Sequence, residues 1–189
     1  MNQSNRAIQR VLIAPSWGEN SLLESVGSAL IQVILEAGYQ LTVRPHTMTI
    51  RRSPKLLNEL QKQFSSNSGF ILDTDLLSQG TVHSYDIMVS DWSGAALEYA
   101  FGLERPVLFV DVRKKINNPD YGKISHVPIE VQLRSKLGKV VSLDQLSEIP
   151  FLLAQISANS EMWRKNIVEL RSHWIYNVGN SEKVTAAHI

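Results

Sequence analysis

The sequence predicts an α/β fold with a doubly wound, mostly parallel, Rossmann-like sheet. Three segments support this prediction, because in each a short apolar run ends where polar residues and a glycine or proline begin. The segments are Val11–Ala14 before Pro15–Gly18, Leu41–Val43 before Arg44–His46, and Ile87–Val89 before Ser90–Gly94. Parallel strands meet with their carboxyl ends at one edge of a sheet, where open α/β sheets bind ligands. We therefore expect a ligand site at this edge.

Strand patterns and helix patterns alternate over the first 110 residues. Leucine, isoleucine and valine recur at intervals near 3.6 in Ser21–Ala37, Gly38 follows as a stop, and Ser53 with Pro54 marks a helix start. The predicted elements are strand Arg10–Ala14, helix Ser21–Ala37, strand Gln40–Arg44, helix Pro54–Phe64, strands Phe70–Asp73 and Tyr85–Ser90, helix Ser93–Leu103 and strand Pro106–Val110. This alternation is typical of a parallel sheet with helices on both faces.

The pattern is less regular in the second part of the chain. Asn117, Asn118 and Pro119 favour a long loop over Asp111–Ser125. After the loop we predict helix Ile129–Leu137 and strand Lys139–Val141. Pro150 interrupts the next region. The elements predicted after it are helices Phe151–Ser157 and Glu161–Leu170 and a terminal helix introduced by Gly179–Ser181. The length fits one domain covering residues 1–189.

Composition excludes several function classes. Lys and Arg total 19 against 18 Asp and Glu, so the net charge of +1 provides no broad attraction to nucleic acid. Cysteine is absent and the five histidines lack metal-ligand spacing, so we predict no metal site. Residues 1–10 lack the apolar stretch of a signal peptide, and no apolar run reaches the length of a membrane span. We expect a cytoplasmic protein, at most peripheral at the inner membrane face.

The segment from Ser90 to Glu98 is the most specific site candidate. Ser93 can cap the following helix, and the small residue Gly94 leaves its first turn open to a phosphate. Glu98 lies one turn further along the same face, at a distance that suits a ribose hydroxyl. An ordinary capped helix with a solvated glutamate explains the same pattern, and both interpretations stay open.

Two further segments lie at the same predicted edge. Arg44 could clamp a diphosphate, and His46 could protonate a leaving phosphate oxygen, although a surface turn with an isolated histidine is the simpler explanation. Ser16, Trp17 and Gly18 follow the first strand and complete the predicted nucleotide-binding set, with structural packing as the alternative for the last two. The basic cluster in Asp111–Lys115 could hold a phosphate or an anionic acceptor polymer, although a solvated loop is the favoured explanation for Lys114 and Lys115.

Several of these motifs together resemble the C-terminal half of the CDP-glycerol glycerophosphotransferase family, which polymerises polyol phosphates of teichoic acids and capsules. The resemblance covers most of the chain from about Val11. It is carried by Arg44–His46, by Ser90–Gly94 through Glu98–Ala100, by Arg105–Phe109 and by Gly179–Ser181.

The resemblance implies a GT-B enzyme whose C-terminal Rossmann-like domain holds the donor nucleotide. A CDP-polyol would be the donor substrate, with no metal or other cofactor, CMP the product and an anionic polymer the acceptor. Arg44 and His46 correspond to the family's Arg-Pro-His-Pro segment near the diphosphate, Ser93 and Gly94 to its phosphate-facing helix start, and Glu98 to its acidic position on that helix.

Two departures from the family pattern stand out. Thr47 replaces the second proline, and the acceptor-side domain with its catalytic base is missing from this chain. We therefore expect the isolated chain to bind nucleotide without appreciable transfer, and helices of about residues 160–189 to pack toward an N-terminal GT-B domain or a partner chain.

Two alternative functions stay open at this stage. The donor could be a UDP-sugar, which would make the chain half of a GT-B glycosyltransferase or epimerase. The chain could instead be a non-catalytic partner-binding module, which predicts an exposed apolar patch near Trp163, Trp174, Ile175 and Tyr176.

Overall fold

The computed structural model of the chain describes residues 9–75, 82–114, 116, 118 and 120–187. Its centre is a sheet of six parallel strands in the order β3-β2-β1-β4-β5-β6. The strands are β1 (Arg10–Ile13), β2 (Gln40–Val43), β3 (Phe70–Leu72), β4 (Ile87–Ser90), β5 (Val107–Asp111) and β6 (Gly138–Ser142). Because the chain winds outward in one direction from β1 and in the other from β4, the doubly wound prediction is confirmed.

Eight α-helices occur in the described residues. They are α1 (Leu22–Glu36), α2 (Thr47–Arg52), α3 (Pro54–Phe64), α4 (Ala95–Leu103), α5 (Ile129–Leu137), α6 (Ile149–Ala158), α7 (Ser160–Trp174) and α8 (Ser181–Ala186). Short 3₁₀ segments lie at Tyr121–Lys123 and Leu143–Glu148. Residues 115, 117 and 119 of the predicted loop, and residues 1–8 of the polar N-terminal segment, lie outside the described residues.

Both faces of the sheet are buried, as alternation along β1 shows. Val11 and Ile13 point into a core formed with α1, α3 and α6, whereas Leu12 points into a second core on the opposite face. The second core includes Ala100 of α4, Leu133 of α5 and Ile167 of α7. This two-sided burial explains why the strands are almost continuously apolar.

Helix α2 is absent from the sequence prediction. Thr47, Thr49 and Ile50 are β-branched residues with modest helix propensity, so this six-residue helix has no periodic pattern long enough to detect. The model shows what starts it: the backbone N–H of Met48 donates a 3.0 Å hydrogen bond to Nδ1 of His46. A histidine side chain therefore takes the capping role usually filled by serine or aspartate.

Two predicted helix starts were wrong. Helix α4 begins at Ala95, with Gly94 in the N-cap position, and not at the predicted Ser93. Helix α6 begins at Ile149, two residues ahead of the predicted Phe151. Pro150 lies in the first turn of α6, where a missing N–H costs nothing, so it does not interrupt the helix. Ser53 takes the N-cap position of α3 but makes no side-chain cap hydrogen bond.

Helix α7 packs on this domain, whereas the residues after it are exposed. Trp163 and Ile167 of α7 are buried, and Trp174 packs partly against the second core. Residues 175–187 are solvent-exposed throughout, including Tyr176 at 81%. Packing of this tail toward another domain stays a prediction.

Within the described ranges, none of the helices combines the length and apolar composition needed to cross a bilayer.

The α4–β5 turn is tied to α7 by a double ion pair. Glu104 adopts the left-handed conformation at φ 56°, and its two carboxylate oxygens lie 2.8 Å from Arg164 Nε and 2.7 Å from Arg171 Nη2. Arg171 also donates to the carbonyl oxygen of Phe101 at the end of α4. These hydrogen bonds lower the pKa of Glu104 below its ordinary value of 4.5.

Gly138 provides a test of sheet packing. A Cβ at this position would lie 1.7 Å from the carbonyl oxygen of Val107 in β5, so we expect Gly138→Ala to lower the free energy of unfolding by about 3 kcal/mol or to prevent folding. Gly102→Ala is the control, because its Cβ would meet nothing within 4 Å on α4 and should stabilise the protein by ~0.5–1 kcal/mol. Urea denaturation measures both, and equal midpoints would contradict the close approach of β5 and β6.

Glu104 provides a pH-dependent test. A carboxylate whose pKa is lowered by folding stabilises the protein above its unfolded pKa, and this contribution disappears as pH falls through the folded pKa. We expect Glu104→Gln to cost ~0.5–1 kcal/mol at neutral pH and almost nothing well below pH 4.5. Denaturation of both proteins across this range measures the difference, and a constant difference would refute the role of the charge.

Candidate functional site

The candidate site lies at the carboxyl edge, where the winding reverses between β1 and β4. Three loops meet there: residues 14–21 after β1, residues 44–46 after β2 and residues 91–94 after β4. Since β1 lies between β2 and β4, the last two loops are separated by about 10 Å, two strand spacings. The sequence prediction that these three polar ends share one edge is confirmed.

A buried carboxylate joins the loop after β4 to the loop after β1. Asp91 is 1% exposed, and its Oδ1 accepts a 2.7 Å hydrogen bond from the backbone N–H of Ser16. Its Oδ2 accepts hydrogen bonds of 2.9 Å from Ser16 Oγ and from the N–H of Leu22, the first residue of α1. Ser90 adds a 2.6 Å hydrogen bond from its hydroxyl to the Ala14 carbonyl oxygen. The two loops are therefore fixed to each other.

Between the β1–α1 loop and α2 lies a cleft of about 540 Å³. This volume is in the range of small-ligand sites. The lining residues are mostly polar: Ser16, Trp17, Gly18, Glu19, Asn20, Ser21, Glu24, Met48, Thr49, Arg52, Ser53, Trp92 and Arg113. Gly18 has φ 110°, a conformation that favours glycine, and its carbonyl oxygen accepts the Ser21 N–H to close the loop into a turn.

Trp17 brings α2 and the Arg44–His46 segment to the cleft. The Trp17 and His46 rings are stacked with centroids 6.1 Å apart, and the guanidinium of Arg52 lies 5.1 Å from the Trp17 ring centre. Because His46 Nδ1 accepts the Met48 N–H, the neutral ring carries its proton on Nε2. The His46 ring therefore carries one acceptor and one donor nitrogen beside the cleft wall.

Arg44 has a different setting from the one expected for a diphosphate clamp. Its Nη2 lies 2.8 Å from Asp73 Oδ2, and its Nε donates to the same oxygen at 3.0 Å. This partly buried ion pair joins the end of β2 to the end of β3. Arg44 does not line the cleft, and its guanidinium is already engaged with a carboxylate.

Trp92 also lines the cleft and holds the segment after β5 in place. Its Nε1 donates to the Val112 carbonyl oxygen at 2.9 Å, and the buried guanidinium of Arg134 lies 3.7 Å from its ring centre. Arg134 also binds Asp111 Oδ1 at 2.7 Å. This anchoring fixes the backbone next to Arg113, which lines the cleft.

Ser93, Gly94 and Glu98 lie on the β4–α4 side of the same edge but do not line this cleft. Gly94 and Glu98 are exposed, and Ser93 Oγ accepts the Ala95 N–H at a long 3.4 Å. The sequence-predicted set is thus divided: Ser16, Trp17 and Gly18 line the cleft, His46 contacts it through Trp17, and the α4 residues form a neighbouring helix terminus.

Sequence reasoning missed Thr49, Arg52, Glu24 and Arg113 as lining residues. Thr49 and Arg52 belong to α2, which has no detectable periodicity. Ser21 and Glu24 form a Ser-x-x-Glu pattern that indicates a helix start, and their side chains are hydrogen-bonded to each other. Arg113 belongs to the charged run after β5, for which the sequence leaves an anion site open without singling out this residue. Among the described residues, no group of three or more histidine, aspartate and glutamate side chains is arranged to hold a metal.

Comparison with solved structures shows the fold family. The chain is 14% identical to the pneumococcal O-GlcNAc transferase GtfA, solved with UDP and GlcNAc, with a TM-score of 0.54 over 90% of this chain and 35% of that one. It is 14% identical to a protein from Listeria monocytogenes described as a UDP-N-acetylglucosamine 2-epimerase, with a TM-score of 0.53 over 88% and 40%.

A third similar structure is a single domain. This is the C-terminal CMP-Kdo binding domain of WaaA from Acinetobacter baumannii, 10% identical, with a TM-score of 0.53 over 86% of this chain and 88% of the domain. The chain thus spans about two fifths or less of the first two proteins and nearly all of this domain. No protein-family model and no curated protein sequence matches it. These similarities confirm the predicted doubly wound, Rossmann-like α/β fold.

Asp91 provides the test of the site's framework. Asp91→Ala removes the acceptor of three hydrogen bonds and leaves the Ser16 and Leu22 N–H groups unpaired, so we expect a loss on the order of 3 kcal/mol in the free energy of unfolding. Ser16→Ala removes only the Oγ contact and should cost about 1 kcal/mol. Urea denaturation compares them, and a smaller effect for Asp91→Ala than for Ser16→Ala would contradict this assignment.

Proposed function

We propose that this chain is the nucleotide-binding domain of a GT-B type glycosyltransferase or epimerase, with a nucleotide-activated sugar as its donor. The observation that carries the proposal is the polar cleft at the switch point of the sheet, between the β1–α1 loop and α2. Doubly wound sheets bind ligands in such crevices, outside the carboxyl ends of their strands. Fold analogy adds to this argument but does not replace it.

The similar structures support a nucleotide-sugar donor. One was solved with UDP and GlcNAc, and another is a CMP-Kdo binding domain of nearly the same extent as this chain. A domain of this extent supplies one wall of a two-domain cleft. The acceptor side and its catalytic base would then come from another domain or a partner chain.

The two helix N-termini at the site have different electrostatics. The N-terminus of α1 already faces two carboxylates, since Asp91 accepts the Leu22 N–H and Glu24 lies in the first turn. The N-terminus of α4 begins with Gly94 and small side chains, and its first-turn acid, Glu98, is exposed. A donor phosphate is therefore better placed at α4, where the partial positive charge is less neutralised.

A CDP-polyol is the second candidate donor. It is favoured by the resemblance of Arg44–His46 and Ser90–Glu98 to the CDP-glycerol glycerophosphotransferase segments. These segments flank β1 at one edge, and His46 stacks on Trp17 of the cleft. In this candidate the acceptor hydroxyl attacks the β-phosphate of the CDP-polyol, and CMP leaves. In this candidate His46 corresponds to the family's histidine near the diphosphate.

Calorimetric titration tests the proposal and separates the two donors. We expect UDP-GlcNAc or another UDP-sugar to bind at least ~10-fold more tightly than CDP-glycerol, a difference of about 1.4 kcal/mol. Tighter binding of CDP-glycerol would favour the polyol phosphotransferase. No heat and no change in tryptophan fluorescence with any nucleotide up to millimolar concentration would refute nucleotide binding.

A charge at the start of α4 tests where the phosphates bind. Ser93→Glu places a carboxylate at this terminus, and we expect it to weaken nucleotide binding by roughly tenfold or more while leaving stability almost unchanged. Ser135→Glu is the matched control, because Ser135 is exposed on α5, which leads back to the opposite edge of the sheet. Equal affinities of the two variants would argue against a phosphate at α4.

A further inference from the structure

We infer that the cleft between the β1–α1 loop and α2 binds the hydroxyl-rich sugar or polyol end of the donor together with the phosphate attached to it, that the phosphate nearer the nucleoside lies at the start of α4, and that the nucleobase lies outside the cleft. This inference rests on the proposed function and assigns a part of the donor to one subsite. Three independent features of the cleft support it within the described residues: a buried hydroxyl without a hydrogen-bond partner, two guanidinium groups without carboxylate partners, and tryptophan rings already engaged by neighbouring side chains.

The hydroxyl is that of Thr49. This cleft residue is 1% exposed, and its Oγ1 has no hydrogen-bond partner among the described residues. Buried hydroxyl groups are nearly always paired, so an unpaired one next to a cleft needs a partner supplied by a ligand or by water. A hydroxyl can both donate and accept, which suits the hydroxyl groups of a sugar or polyol.

The charged residues of the cleft match an anion attached to a polyhydroxy group. Arg52 and Arg113 both line it, and within the described part of the chain neither guanidinium forms an ion pair. Glu19 and Glu24 line it as well and can accept hydrogen bonds from ligand hydroxyls. An inorganic anion alone has few hydroxyl donors for these carboxylates, and a neutral sugar would not use the guanidinium groups. A sugar or polyol phosphate uses both.

The aromatic rings argue against a stacked base in the cleft. The Trp17 ring is contacted by His46 and by Arg52, and the Trp92 ring lies 3.7 Å from the Arg134 guanidinium and 5.0 Å from Lys114 Nζ. A nucleobase would need to displace these contacts to stack on either indole. Arg52, held in place by Trp17, is better suited to contact a phosphate.

The test compares donor fragments that share one base. UMP, UDP and UDP-GlcNAc, and in parallel CMP and CDP-glycerol, are titrated into the full chain and into Thr49→Val, which has nearly the same shape without the hydroxyl. We expect Thr49→Val to weaken binding of the complete donor by about 3–10-fold, the value of one hydrogen bond, and to leave the monophosphates unchanged. Arg52→Gln should weaken UDP and the complete donor more than UMP.

Two controls separate this effect from misfolding and from loss of charge alone. Thr49→Ser keeps the hydroxyl and should retain donor binding. Arg51→Gln removes a neighbouring exposed charge on α2 that does not line the cleft, so it should bind all ligands like the unmodified chain. Thermal unfolding of each variant confirms that the fold is intact.

Three outcomes decide the inference. Equal weakening of UMP and UDP-GlcNAc by Thr49→Val would place the base in the cleft, and no change with any ligand would show that water alone pairs with Thr49. Either result overturns the inference while nucleotide binding stands. If no nucleotide binds, the proposed function fails. The cleft is then tested with glycerol 3-phosphate alone, whose binding must perturb the amide resonances of Thr49 and Arg52 for the inference to hold.

Discussion

The carboxylate of Asp91 is the interaction on which the site depends. It lies at the reversal point of the sheet, where β1 and β4 are neighbours but are not consecutive in the chain. The loops that follow these two strands must therefore be held together by noncovalent contacts. By accepting hydrogen bonds from Ser16 and Leu22, it fixes the loop after β1 and the start of α1 with one buried group. A buried charge is costly unless it is fully hydrogen-bonded, so this position tolerates few alternatives. The cleft wall is therefore held by Asp91 together with the Ser90 hydrogen bond to the Ala14 carbonyl oxygen.

The same carboxylate also determines how the edge can divide its ligand. Negative charge at the start of α1 neutralises the helix dipole that would otherwise attract a phosphate. Cationic groups are supplied from elsewhere, by Arg52 on α2 and by Arg113 after β5. The result is an edge with carboxylates next to α1 and guanidinium groups around them. Under the proposed function, this separation suits a donor with both a phosphate and a polyhydroxy group.

Periodicity was sufficient to predict the sheet and most helices, because buried parallel strands and amphipathic helices leave strong local patterns. The α5 helix was predicted over its observed range, Ile129–Leu137. The cleft was predictable only in part, since Ser16, Trp17 and Gly18 follow a recognisable strand. Thr49 and Arg52 were not predictable, because α2 has only six residues and is started by a histidine cap that local propensity does not reveal. Its place directly after β2 puts α2 at the edge, but the helix itself has no sequence pattern that reveals it.

Arg44 and Arg52 show why a residue type at the right edge does not establish a role. Both belong to segments next to β2, and sequence reasoning favoured Arg44 because it follows the strand directly. Asp73, at the end of the neighbouring strand β3, pairs with Arg44, and this partner is 29 residues away in the sequence. Among the described residues no carboxylate pairs with Arg52, and the Trp17 ring holds it at the cleft. Assigning a guanidinium to a ligand therefore requires knowing which carboxylates the fold brings near it. For this reason, the resemblance carried by Arg44–His46 is a stronger argument for where a ligand would bind than for the role of each residue.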